Sequence, residues 1–283
     1  MSKRKFILTA DGLGLSNDYN KAIAEGYTGG FLKSVGLVAN GQAFEEAVNI
    51  ILPQCPDLGV GIHLNLTKGH PICRDLTSLT NQDGIFCLSY LRHLINAYKP
   101  HNESYLEEIE REIRRQIERA MSKTHISHIS SIDYIHTIPP IFNIVCRLAK
   151  EYGITYIRTH FEKPHIIPDL NKHLCWRYLL NLLKLAYLDI LTIFNESMVH
   201  QYELKTNDNI IGITYDSMID GLTIAYGVMA INYENAIVET VIQPCRYADG
   251  TVNNNFSQYL ITKNNKLKNK IENLGYEITN YVE

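Results

Sequence analysis

The feature that most restricts the fold is a repeated succession along the 283-residue chain: a short β-rich run, then a helical pattern, then another run. Parallel strands need a crossover between them and a helix supplies it, so this alternation is the signature of a parallel sheet or barrel. The β-rich runs are Phe6–Ala10, Ser34–Val38, Gly59–Leu66, His125–Tyr134, Thr155–Thr159, Ile210–Thr214 and Ala236–Ile242, with a last short one at Tyr276–Tyr281. Helical patterns fall between most of them. Asn17–Gly26 starts behind Ser16 as N-cap, Ala43–Ile51 is amphipathic, and Ser104–Lys123 opens on a capping-box spacing of Ser104 and Glu107. Ile141–Tyr152 and Lys263–Leu274 end at Gly153 and Gly275, residues suited to closing a helix. The expectation is one α/β domain over residues 1–283 with a helical insertion around residues 165–205, since barrels of this length are commonly undivided.

Charge and cysteine usage narrow the function. With 27 basic and 30 acidic side chains the net charge is −3, which offers no basic field for nucleic acid. Six cysteines without a CxxC spacing read as reduced thiols, so a cytoplasmic location is expected. The first apolar run is too short for a signal-peptide core, and no uncharged run is long enough to span a bilayer. Glu107–Arg119 interleaves acids and bases at i, i+3 and i+4, which ordinarily gives a solvated face held by side-chain pairs. Tyr178–Phe194 confines its polar residues to a stripe of Asn181, Lys184, Asp189 and Thr192. So wide an apolar face reads as a buried helix or a dimer contact, with a lipid-facing lid as the sharper alternative.

Chemistry in an α/β fold collects where strand C-termini converge. Phe6–Ala10 delivers Asp11 there, followed by the turn residue Gly12. In Gly59–Leu66, His63 and Asn65 share one face, and a histidine in so apolar a strand needs a partner or a metal. Period-two alternation puts His128, Ser130, Ile132, Tyr134 and His136 on one face and Asp133 on the other. Arg158 closes the next run and could orient a carboxylate, and Gln243 follows Ala236–Ile242 with a neutral amide.

In order and spacing, Thr9–Ser16, Gly36–Ala43, Gly61–Thr67, His128–Pro139, Arg158, Gln243-Pro244 and Lys263–Tyr281 resemble the YdjC-like carbohydrate deacetylases. The resemblance implies a distorted (β/α) barrel with its site at the C-terminal mouth, a carbohydrate-like substrate, a homodimer, and removal of N-acetyl groups with a divalent metal, Mg or Zn. Carried over, Asp11 matches the family's base and His63 its first histidine ligand. Gly12 stands where the metal-binding aspartate belongs, Ile132 where the second histidine belongs and Gln243 where the late histidine belongs. Ser130 replaces the aspartate of the family's histidine-rich pattern, and Tyr134 another of its histidines.

The catalytic candidates are therefore Asp11, His63, Arg158 and His136, and the substrate-contacting candidates Asn65, Tyr134, Gln243 and His128. His63 is the retained metal ligand, and Asp133 or His136 could complete a weak site. Three readings stay open: an active deacetylase using a rebuilt or water-rich site with a weakly bound metal, an enzyme with no metal that uses Asp11 and His63 as acid and base, and a non-catalytic carbohydrate- or partner-binding relative.

Overall fold

The computed structural model describes residues 4–168, 170–245 and 254–281. β1 (Arg4–Leu13) is buried at eight consecutive positions from Phe6, as a central parallel strand requires. α1 (Asn17–Thr28), whose Tyr19 amide donates to Ser16 Oγ, leads to β2 (Ser34–Leu37). α2 (Phe44–Glu46) winds on through a π turn at Ala47–Ile51, and β3 (Gly59–Leu64) follows. Next come α3 (Tyr90–Ala97), α4 (Glu103–Met121), β4 (His128–Ser131), α5 (Pro139–Tyr152) and β5 (Tyr156–Ile157). The remainder is α6 (Trp176–Gln201), β6 (Asn209–Ile211), α7 (Gly221–Ala230), β7 (Ile237–Ile242), α8 (Asn254–Thr262), α9 (Asn265–Asn273) and β8 (Tyr276–Ile278).

The strands pair in parallel in the order β5-β4-β3-β2-β1-β7-β6. β2 reaches only the upper half of β1, from Thr9, and β8 fills the lower half opposite Arg4–Phe6. The outer strands meet in an irregular seam. Ile157 N donates to Lys205 O and Lys205 N to Thr155 O, each at 2.9 Å, and Thr159 N and Lys163 N donate to the side chains of Asn207 and Asn209. The sheet thus curls into the distorted (β/α) barrel that the family resemblance implied.

Three local readings need correction. The fourth strand stops at Ser131, because Asp133 and Tyr134 take left-handed φ values of 53° and 61° and the chain turns into a short 3-10 segment. Period-two alternation therefore ends there, and Asp133 turns toward the barrel mouth instead of away from it. α4 forms no capping box; it begins at Glu103 behind Asn102. Nor is its charged surface wholly solvated. Glu108, Glu112 and Gln116 are buried and pin the loop after β3. Glu112 accepts from the amides of Ile72 and Cys73, Glu108 from Ser78, and Gln116 holds both backbone polar groups of Asn65.

The apolar helix is inverted relative to the expectation of a buried apolar face. On α6 the polar stripe faces the barrel: Asn181 donates to the carbonyls of Thr214 and Asp216, Lys184 pairs with Asp216, Asp189 accepts from Glu162 N, and Thr192 accepts from His160 N. Leu185, Leu188 and Leu191 pack beside these bonds in a small cluster with Ile210 and Ile213, and the wider apolar side of the helix faces outward.

Candidate functional site

At the C-terminal ends of the strands lies a cavity of about 450 Å³, lined by Asp11, His63, Ile132, Asp133, Tyr134, Arg158, His160, Arg177, Gly212, Ile213, Asp216, Gln243 and Gln258, among others. Its floor is an ionic cluster. Arg158 Nη1 donates to Asp11 Oδ2 at 2.7 Å and Nη2 to Oδ1 at 3.2 Å. The same guanidinium reaches Glu239, with Nε to Oε2 at 2.8 Å and Nη2 to Oε1 at 2.7 Å. Thr9 Oγ1 and Tyr281 OH donate to the remaining lone pairs of Glu239. A planar fork suits two carboxylates in this way where an ammonium would not. The Asp11 carboxylate lies across Gly36 on β2, where a Cβ would come within 2.4 Å of Oδ1, so only glycine admits it.

Electrostatics follow from this packing. Burial alone would raise the Asp11 pKa, but Arg158 and then His63 oppose it and the net shift is downward, so Asp11 stays ionised. His63 Nδ1 lies 2.8 Å from Ser130 Oγ and 3.5 Å from Asp11 Oδ2. Burial lowers its pKa to about 4 against the attraction of Asp11, so its imidazole is neutral at pH 7. With Nδ1 so engaged, Nε2 has no hydrogen-bond partner among the described residues.

Asp11, His63 and Arg158 thus converge as the sequence suggested, and Tyr134 and Gln243 line the cavity above them. Three other candidates do not reach it. His136 has both nitrogens engaged, Nδ1 2.5 Å from Ser131 Oγ and Nε2 3.0 Å from the Arg158 carbonyl, and burial drives its pKa to about 3. It supports the backbone of Arg158 and cannot complete a metal site in this arrangement. His128 lies deeper in the barrel, against Tyr281 at 4.5 Å between ring centroids, with Nδ1 3.0 Å from Ser127 Oγ. Asn65 spends its side chain on the loop, donating to Asn40 Oδ1 and Lys68 O and accepting from the amides of Thr67 and Lys68. β3 ends before it, so it shares no strand face with His63.

Sequence reasoning missed Glu239 and His160. Glu239 sits mid-strand, and only its acidic character within Ala236–Ile242 hinted that this strand faces a charged barrel interior. His160 follows Arg158 by two residues. It is 2% exposed, its Nδ1 has no partner among the described residues, and its ring meets the edge of Tyr134 at 4.9 Å.

The residues present do not fit the divalent metal implied by the resemblance. Gly12 has φ +110°, and a Cβ there would stand 2.7 Å from Tyr19 Cδ1, so a ligating side chain has neither the backbone nor the room. Ile132 offers no donor, His63 Nδ1 is occupied, and Asp133 is engaged by Thr67 Oγ1 at 2.9 Å. Among the described residues no group of three or more His, Cys, Asp or Glu side chains is disposed to hold a metal ion.

Fold and site together define a parallel β/α-barrel protein with a polar mouth over a buried ionic floor. The model of the YdjC-like protein family matches residues 5–262, and the chain belongs to that family. A carbohydrate deacetylase of Brevibacillus brevis is 40% identical over 151 residues, covering 53% of this chain and 57% of that protein. One from Listeria monocytogenes is 37% identical over 159 residues, covering 56% and 62%. The matched segments thus span less than two thirds of these relatives' length. A crystal structure from Enterococcus faecalis, described as a cellobiose-phosphate cleavage protein, superposes with a TM-score of 0.76 at 20% identity over 99% of this chain and 98% of that one. An Agrobacterium tumefaciens structure gives 0.53 at 12% identity over 99% and 88%. At these identities both show the fold alone.

Proposed function

We propose that this protein binds a carbohydrate of the amino-sugar class at its barrel mouth and has lost the metal-dependent N-deacetylation of its relatives. The observation that carries this reading is the four-bond clamp of Arg158 on Asp11 and Glu239. A general base needs a pKa near the working pH and freedom to reach its proton. Asp11 has a lowered pKa, is 3% exposed and is held on both oxygens. The absence of a metal-ligand set from the described residues supports the same reading. The cavity keeps what sugar recognition uses: amides at Gln243 and Gln258, the Tyr134 ring, and charged groups that fix hydroxyl orientation. Cys55, Cys73, Cys87, Cys146 and Cys175 are in no disulfide, which suits the cytoplasm, where we place the protein.

A second reading has its own support. His63 is neutral at pH 7 and presents to the cavity an Nε2 with no hydrogen-bond partner among the described residues, so it can accept a proton without a metal, as a weak base because burial holds its pKa at about 4. Calorimetry with N-acetylated oligosaccharides, together with an acetate-release assay run with and without chelator, separates the two. Binding without acetate release supports the first. Chelator-resistant turnover abolished by His63→Ala supports the second, and chelator-sensitive turnover overturns both.

A further inference from the structure

We propose that the outward face of α6, with the neighbouring face of α3, docks on an anionic lipid surface and brings the barrel mouth to a carbohydrate carried on a lipid. α6 is 26 residues long and apolar enough by length and composition to cross a membrane. Its inward bonds at Asn181, Lys184, Asp189 and Thr192 tie it to the barrel instead, so it lies along the protein's surface. On the outside Trp176, Leu180, Leu183, Ile190, Ile193 and Phe194 are exposed, Trp176 at 72% and Ile193 at 68%. Together they present on the order of 800 Å² of apolar surface, more than a free-standing protein ordinarily leaves bare.

The face continues onto α3. Leu183, Tyr187, Ile190 and Phe194 follow one another at i, i+4, i+7 and i+11 and form one stripe of α6. The Tyr187 hydroxyl lies 3.0 Å from that of Tyr90, with the two rings edge to face at 6.0 Å, and α3 adds the exposed Leu91, Ile95 and Tyr98 beside it.

Charge decides between occupants. From Tyr90 to Lys99 there is no acidic residue, and from Trp176 to Phe194 the only one is Asp189, which bonds inward. Arg92, Lys99 and Arg177 are exposed, and their side chains form no ion pair or hydrogen bond among the described residues. A second copy of this chain would lay the same cations against themselves with only Glu196, near the far end of α6, to receive them. A bilayer bearing phosphate headgroups supplies both an apolar interior for the large side chains and negative charge for the rim. The cavity opens beside this face: Arg177, next to Trp176, is one of its lining residues. Headgroups of a docked bilayer would therefore lie at the mouth.

The lipid-borne substrate rests on the carbohydrate reading above, whereas the docking itself does not. The test is co-sedimentation of the full chain with sugar-free vesicles of equimolar phosphatidylglycerol and phosphatidylcholine. The protein is expected to pellet with them, less so with phosphatidylcholine alone or as salt is raised. The double variant Leu183→Glu/Ile193→Glu should weaken partitioning about tenfold or more, and Arg92→Gln/Lys99→Gln several-fold. All four positions are on exposed faces, and an unchanged circular dichroism melt confirms the fold of each variant. Protein that stays in the supernatant with every vesicle overturns the proposal. So does a solution dimer that dissociates on Leu183→Glu/Ile193→Glu while vesicle binding is absent, which would assign the face to self-association. Failure of this assay leaves the sugar calorimetry unaffected, and absent sugar binding leaves vesicle docking standing.

Discussion

Replacing Arg158 by methionine tests the ionic floor most directly. The side chain is 3% exposed and, among the described residues, is the only cation within ion-pairing distance of Asp11 other than His63, which is neutral at pH 7. The substitution keeps the unbranched stem, is shorter by the guanidinium head, and removes four hydrogen bonds at once. It leaves Glu239 with the hydroxyls of Thr9 and Tyr281 and leaves Asp11 beside a neutral imidazole. Taking one partner from a buried ion pair costs about 3–5 kcal/mol. For a chain of this size that corresponds to roughly 5–8 °C in Tm. The pH dependence is the sharper signature. In the wild type Asp11 has a depressed pKa, so its contribution is present at neutral pH and is lost only as pH falls below the ordinary carboxylate range. Without Arg158 the largest remaining influence on Asp11 is burial, which raises the pKa, so the variant takes up a proton at higher pH than the wild type does. The stability gap should therefore be widest near pH 7 and narrow steadily toward pH 4. Urea denaturation of both proteins across that range measures it. Arg158→Lys should recover little, since one ammonium cannot span four oxygens. A loss below about 1 kcal/mol at pH 7, or a gap that widens on acidification, refutes the reasoning.

Other perturbations probe the parts separately. Gly12→Asp should lower stability by about 2 kcal/mol or more, through its positive φ and the Tyr19 ring, and should confer no zinc binding in calorimetry; a stable variant that binds zinc tightly would overturn the steric account. Glu112→Ala strips the acceptor from the amides of Ile72 and Cys73 and should speed hydrogen exchange in residues 65–78 by about tenfold or more, with unchanged exchange there as the contrary result. Burial raises the Glu162 pKa to about 7, against the amides of Thr214 and Gly212. Its folded value exceeds the unfolded one, so this group costs stability as pH rises from about 4.5 to 7; Glu162→Gln loses one of the two amide bonds but cannot ionise, so its stability should be flatter than the wild type's across that window, and parallel profiles in pH-resolved denaturation are the contrary result.

The barrel was legible because its strands announce themselves by apolar runs whose polar ends need a common destination. Asp11 and Arg158 could be placed at the mouth on that ground alone. What stayed hidden was set by geometry that no spacing encodes. The left-handed pair Asp133-Tyr134 broke a period-two pattern that looked unbroken through His136, and so misassigned a face. Glu239 went unread within Ala236–Ile242, because burial of a carboxylate depends on an arginine 81 residues away. The periodicity of α6 correctly separated two faces, but amphipathicity does not say which face meets the protein.

The pairing of β8 with the lower half of β1 has a consequence for how the chain assembles. β1 is completed by a strand far along the chain, and Tyr281, just beyond β8, supplies a hydroxyl to Glu239. Contacts this distant in sequence form late, and until they form the base of the barrel is an open edge. Substitutions in Tyr276–Tyr281 should therefore slow refolding and raise aggregation far more than their small share of the core would indicate.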